Sequence, residues 1–229
     1  MPLAMMRKFL QMLSPGTLSK IELCGTSFDE TAHLEDQWSS CFAVLQRCCA
    51  TSLRRLNIGY LNLSFSVDKL LQPLLHFREL QQMCIESFPP LEVRHAQAMA
   101  VAWPRLQELR LAGEDWEEST VYDWAFFCSI RSLFKNLEKL SVTVSFEGAT
   151  LADIPLLPHG LISLCIYSNE FEEDENLGSA QTLRYARLLN RLYPSLAELI
   201  VNDMDSELWN FILAFREAGQ EDIDRTSLV

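Results

Sequence analysis

Apolar residues recur along the chain in a fixed short unit, L-x-x-L-x-L, with Ile, Met or Val as substitutes. The units are Leu18/Ile21/Leu23, Leu53/Leu56/Ile58, Leu80/Met83/Ile85, Leu106/Leu109/Leu111, Leu137/Leu140/Val142, Leu161/Leu164/Ile166 and Leu196/Leu199/Val201. Their first positions lie 35, 27, 26, 31, 24 and 35 residues apart. One such match means little, because leucine is common. Seven at these intervals mark an internal repeat. The closing apolar–x–apolar alternation is the period of a strand with one face buried. The pattern predicts parallel strands near 18–24, 53–59, 80–86, 106–112, 137–144, 161–167 and 196–202.

Between the units the apolar period lengthens. In 34–49 it falls at Leu34, Trp38, Cys41/Phe42, Leu45 and Cys48/Cys49, the stripe of a half-buried helix. Shorter stripes follow: Leu70, Leu71, Leu74 and Leu75; Ala96, Met99, Ala100 and Trp103; Val121, Trp124, Phe127/Cys128 and Phe134; Leu183, Ala186, Leu189 and Leu192. Pro104, Pro158 and Pro194 stand where helix gives way to strand, since proline cannot continue a helix interior. Trp103, Phe134 and Tyr193 sit just before three of the units. They read as covers for the helix–strand corner, with an exposed binding anchor as the alternative. One strand and one helix cannot bury an apolar face alone, but stacked copies bury a continuous core.

This pattern resembles leucine-rich repeats. One unit carries a fuller signature, Leu161-x-x-Leu164-x-Ile166-x-x-Asn169-x-Phe171, whereas the others place Thr26, Leu61, Phe88, Glu114, Ser145 or Met204 at the asparagine position. The long, uneven coils resemble the irregular repeats of F-box proteins and of the ribonuclease-inhibitor-like class. "AWPRLQEL", "LPHGLISL" and "ARLLNRLYPSLAEL" are similar to the repeat domains of F-box-like proteins of mushroom-forming fungi. The resemblance implies an α/β leucine-rich-repeat solenoid, with parallel strands on the concave side and helices on the convex side. It implies one domain over 1–229 with about seven coils. It also implies substrate recognition for a Skp1–cullin–F-box ubiquitin ligase. An F-box opens with a Leu-Pro-x-Glu-like stretch, and nothing in residues 1–50 matches it. A Skp1-type adaptor is therefore expected only if an F-box lies upstream. The other reading is a stand-alone repeat scaffold or inhibitor.

Composition narrows the partner. Nineteen basic against thirty-one acidic residues leave a net charge of −12, which disfavours nucleic acid. No run approaches the ~18 apolar residues of a membrane span, and Arg7 and Lys8 interrupt the apolar N-terminus where a signal peptide would not. Cytosol or nucleus is the expected compartment. The seven cysteines form no Cys-x-x-Cys pair and read as buried thiols. His33, His76, His95 and His159 are scattered, and no nucleophile elbow or phosphate loop occurs. No catalytic residue, metal or cofactor is expected.

Two surfaces remain. The strand positions facing away from the core are candidate partner contacts on the concave face: Lys20, Glu22, Arg55, Asn57, Gln82, Glu86, Glu108, Arg110, Lys139, Ser141, Tyr167, Glu198 and Asn202, accompanied by Cys84, Thr143, Ser163, Cys165 and Ile200. Their balanced charge suits a protein or peptide. The acids gather in four windows just after strands: Asp29 and Glu30; Glu114, Asp115, Glu117 and Glu118; Glu170, Glu172, Glu173, Asp174 and Glu175; Asp203, Asp205 and Glu207. Stacked coils would align them into an acidic rim, read either as solubilising loops or as a landing strip for a basic partner. The apolar stretch 1–13 reads as an inner coil without a polar cap, so a preceding coil or an F-box module is expected to cover it.

Overall fold

The computed structural model describes residues 16, 18–23, 34–59, 66–85, 90–112, 120–150, 159–167, 179–201 and 207–226. Seven strands form one sheet: β1 (Lys20–Leu23), β2 (Arg55–Ile58), β3 (Gln82–Ile85), β4 (Glu108–Arg110), β5 (Lys139–Thr143), β6 (Ser163–Tyr167) and β7 (Glu198–Val201). Their order in the sheet is their order in the chain, and every neighbouring pair is parallel. Helices α1 (Leu34–Cys49), α2 (Val67–Leu71), α3 (Val93–Ala102), α4 (Trp124–Leu133) and α5 (Ser179–Leu192) return the chain between strands, and α6 (Glu207–Thr226) follows β7. Such an order with helical returns is the α/β leucine-rich-repeat solenoid.

The central apolar letters of the seven units stand in one row: Ile21, Leu56, Met83, Leu109, Leu140, Leu164 and Leu199 are register partners from strand to strand. All are buried in a single apolar core that runs from Ile21 to Ile212. Burying each such side chain contributes ~1.5–3 kcal/mol.

The strands begin two residues later than the pattern predicts. The first letter of each unit lies in the corner before the strand, buried but outside the ladder from Leu53 to Leu196. The backbone accounts for this. The Arg54 and Arg55 N–H groups both donate to the Ser19 carbonyl, at 2.9 and 3.0 Å. The same forked rung recurs at the carbonyls of Arg54, Gln81, Gln107, Glu138 and Ile162, each accepting two donors from the next coil. These rungs fix the stagger, and extended pairing starts only after them.

Helix boundaries follow local chemistry. The Asp123 carboxylate accepts the Phe126 N–H at 2.7 Å and caps α4. Val121 therefore precedes the helix and stays exposed, contrary to its place in the predicted stripe. The Leu70–Leu75 stripe is split, because Pro73 has no N–H to extend α2 and starts a separate 3₁₀ turn at Leu74–His76. Trp103, Phe134 and Tyr193 end their helices, each donating its N–H to the carbonyl four residues back at 2.8–2.9 Å. All three are buried, as is Phe77 at the same place before Leu80, so the corner-covering role is the one they take. The apolar stretch 1–13 and Asn169 lie outside the described residues.

Candidate functional site

Strand alternation sends one side chain in two away from the core, and the parallel register stacks these into rows. The first row is Lys20, Arg55, Gln82, Glu108, Lys139, Ser163 and Glu198. The second is Glu22, Asn57, Cys84, Arg110, Ser141, Cys165 and Ile200. Thr143 and Tyr167 begin a third.

The face divides in two. Over β1–β4 it is open: Lys20, Glu22, Arg55 and Arg110 are exposed, and Asn57, Gln82, Cys84 and Glu108 are partly so. A shallow cleft of about 140 Å³ lies among them. Lys20 Nζ meets Glu22 Oε1 at 2.7 Å, while Arg55, Glu108 and Arg110 form no ion pair among the described residues.

Over β5 and the end of β6 the later outward positions are closed, while Ser163 and Cys165 stay partly exposed. Ser141 and Tyr167 are each only 5% exposed and Thr143 1%. Two residues expected to meet a partner thus sit within the fold. The Ser141 Oγ and Thr143 Oγ1 hydroxyls are buried with no hydrogen-bond partner. Lys139 and Glu198 remain exposed at the strand starts, where Ser163 Oγ donates to Glu198 Oε2 at 2.6 Å. Glu86 and Asn202 lie outside the described residues. So do the acidic-rim candidates Glu114, Asp115, Glu117, Glu118, Glu172, Glu173, Asp174 and Glu175.

A second cleft, of about 420 Å³, lies at the helix–strand corners of coils three to six. Arg105, Lys135, Gln81, Gln107 and Glu138 line it, and Arg105 is engaged with Glu79. The sequence signal was available: Arg78, Arg105 and Lys135 each follow a helix end by two or three residues. That is where the negative end of the helix dipole favours a cation, so the fold itself accounts for their placing.

On the helical side, His95 joins α3 to α2. Its Nδ1 accepts the Glu92 N–H at 2.9 Å in a capping box, and its Nε2 lies 3.3 Å from Asp68 Oδ1. Nδ1 thereby holds the start of α3, while Nε2 faces Asp68 without a hydrogen bond. The cysteines among the described residues are free thiols, with Cys41, Cys49 and Cys128 buried. Burial, with Cys48 adding to it, pushes the Cys49 thiol up to about 11, away from the nucleophilic thiolate. Among the described residues no group of three or more His, Cys, Asp or Glu gathers as a metal site. No helix there is long and apolar enough to cross a membrane.

No family model matches the chain, and no curated protein is significantly similar to it. Among solved structures, the leucine-rich repeat-containing protein LegL7 from Legionella pneumophila matches 86% of this chain at 16% identity and a TM-score of 0.48. The match covers 60% of that protein's length.

Proposed function

We propose that this chain is a protein-interaction solenoid that performs no chemistry and holds a protein or peptide on the open face of its sheet. The observation that carries this reading is the division of labour within each strand. Inward letters build the core, while Lys20, Glu22, Arg55 and Arg110 stand in solvent on a hydrogen-bonded sheet. Polar groups held in rows on a rigid support are suited to recognition.

By its resemblance to F-box proteins, the chain selects substrates for a Skp1–cullin–F-box ubiquitin ligase, in the cytosol or nucleus. The second reading is a repeat scaffold or inhibitor without a ubiquitin link. Affinity capture from cells with mass spectrometry separates them. A Skp1-type adaptor among the partners supports the first, and a reproducible partner set without one supports the second. Partners that survive Asn57→Trp, which blocks the face, would sink both.

A further inference from the structure

The open part of the face has an uneven charge balance. Lys20 is neutralised by Glu22 at 2.7 Å. Among the described residues that line the cleft, that leaves Arg55 and Arg110 against Glu108, one positive charge in excess.

The register sets the distance between the two arginines. Arg55 pairs with Gln82, and Gln82 with Glu108, two residues before Arg110 on the same strand. Two strand spacings of about 4.8 Å and two residues of about 3.3 Å put the Cα atoms roughly 12 Å apart. Gln82 and Cys84 of β3 lie between them. The two long side chains rise from opposite sides of the cleft floor. Asn57 adjoins this floor, and its Oδ1 is shut from solvent without a hydrogen-bond partner, so this amide gains if a bound group lets it turn and bond.

We propose that Arg55 and Arg110 clamp one carboxylate carried by an acidic residue of a partner peptide segment, with Asn57 and Gln82 as the flanking amides. This rests on reading the open face as the partner site. A guanidinium fork matches a carboxylate in geometry and keeps its charge at any physiological pH. Charge selects against the alternatives. A phosphate dianion would exceed the single excess positive charge and meet Glu108. A polyanion would be repelled by a chain of net charge −12. Glu108 offers a place for a basic residue beside the acid, so the face favours a segment of mixed sign. The clamp sets specificity and orientation more than raw affinity.

The test begins with the 229-residue chain and a displayed library of random 12-residue peptides. Enriched peptides are synthesised, then remade with each Asp or Glu as its amide and again with phosphoserine at that position. Binding is read by fluorescence polarisation at low and high salt. The expected result is one acidic position common to the binders, with its amide version weaker by about fivefold or more. Arg55→Gln and Arg110→Gln each weaken the acidic peptide similarly and leave the amide peptide unchanged. Lys135→Gln has no effect. All variants keep the parent's urea midpoint. If Asn57→Trp abolishes binding while the two arginine variants do not alter it, the face is right and the clamp is wrong. If Asn57→Trp also has no effect, or no peptide is enriched, both fail. Tighter binding of the phosphoserine peptide would overturn the carboxylate in favour of a phosphorylated partner.

Discussion

His159 joins two coils through both ring nitrogens, and that makes the stability of the solenoid depend on pH. Its Nε2 lies 2.9 Å from the Phe134 carbonyl, and its Nδ1 accepts the Leu161 N–H at 3.0 Å. Because Nδ1 accepts, the ring is the neutral Nε2–H tautomer. Its ring meets that of Tyr193 in a T-shaped contact, with the centroids 5.5 Å apart. Removing the imidazole leaves one buried donor and one buried acceptor unpaired, at ~1–3 kcal/mol each. It also removes an aromatic contact of ~0.5–1.5 kcal/mol. With partial relaxation, His159→Ala should cost about 2–5 kcal/mol at pH 8. Asn keeps an atom near Nδ1 and Gln one near Nε2, so His159→Asn and His159→Gln should each cost about half of that. Protonation would turn Nδ1 into a donor facing a donor. Burial, followed by the nearby Arg131 guanidinium, lowers the imidazole pKa below 6.5, and the Phe134 carbonyl only partly offsets them. The unfolded chain then binds a proton that the folded chain refuses. Stability from this site is full above about pH 6.5 and is lost as pH falls below it toward the folded pKa. Urea melts at pH 8, 6.5 and 5.5 check this. The wild type should lose more stability over that range than His159→Ala, since every other group is common to both. Parallel pH profiles would show that the folded ring is not held neutral, and the reasoning would fail.

Other expectations follow from burial and charge. Leu109→Ala should cost ~2–5 kcal/mol, the range for a fully buried leucine, while Arg110→Ala at an exposed position should change stability by less than ~0.5 kcal/mol; equal effects in denaturant melts would mean inside and outside are misassigned. Tyr122→Phe and Thr143→Val should be neutral or stabilising by up to ~1 kcal/mol, because both hydroxyls are buried without partners; a loss above ~1 kcal/mol in the same melts would reveal a bond to them. Neutralising Glu172, Glu173, Asp174 and Glu175 should slow association with a basic partner and flatten its salt dependence in stopped-flow traces, if the acidic rim steers it; unchanged on-rates at low salt would leave these residues as solubilising loops.

Most of the fold was legible because a solenoid repeats its burial. Each coil must present the same inward letters, so Leu56, Leu109 and Leu164 announce themselves, and α1 follows its stripe from Leu34 to Cys49. The aromatic covers of the corners were legible, but the side-chain hydrogen bonds made there were not. There a side chain of a following segment satisfies a carbonyl of the coil before it: Ser52 to Leu18, Trp103 to Leu74, Asn136 to Pro104, His159 to Phe134 and Arg216 to Tyr193. A hydroxyl, an indole, an amide, an imidazole and a guanidinium do one job, so no recurring letter marks it. The closed half of the face was hidden for another reason. Alternation says which way Ser141 and Tyr167 point, but whether other parts of the chain cover them is a tertiary matter that no local period encodes.

That closure bears on what a partner can grip. The exposed outward residues of β1–β4, Lys20, Glu22, Arg55 and Arg110, lie at the surface, and changes there should move stability by no more than ~0.5 kcal/mol. They can vary with the partner without endangering the core. Ser141 and Thr143 of β5 cannot, because they are enclosed with the desolvation cost of unpaired hydroxyls already present. The open strip from β1 to β4 is three strand spacings wide, roughly 14 Å, the length of about four residues of extended chain. A stable interface buries about 800 Å² on each side, more than such a strip supplies. The strip is therefore suited to be the centre of a larger contact or the whole of a weak, transient one. In either case Arg55 and Arg110, which form no ion pair among the described residues, are the residues from which binding energy should be sought first.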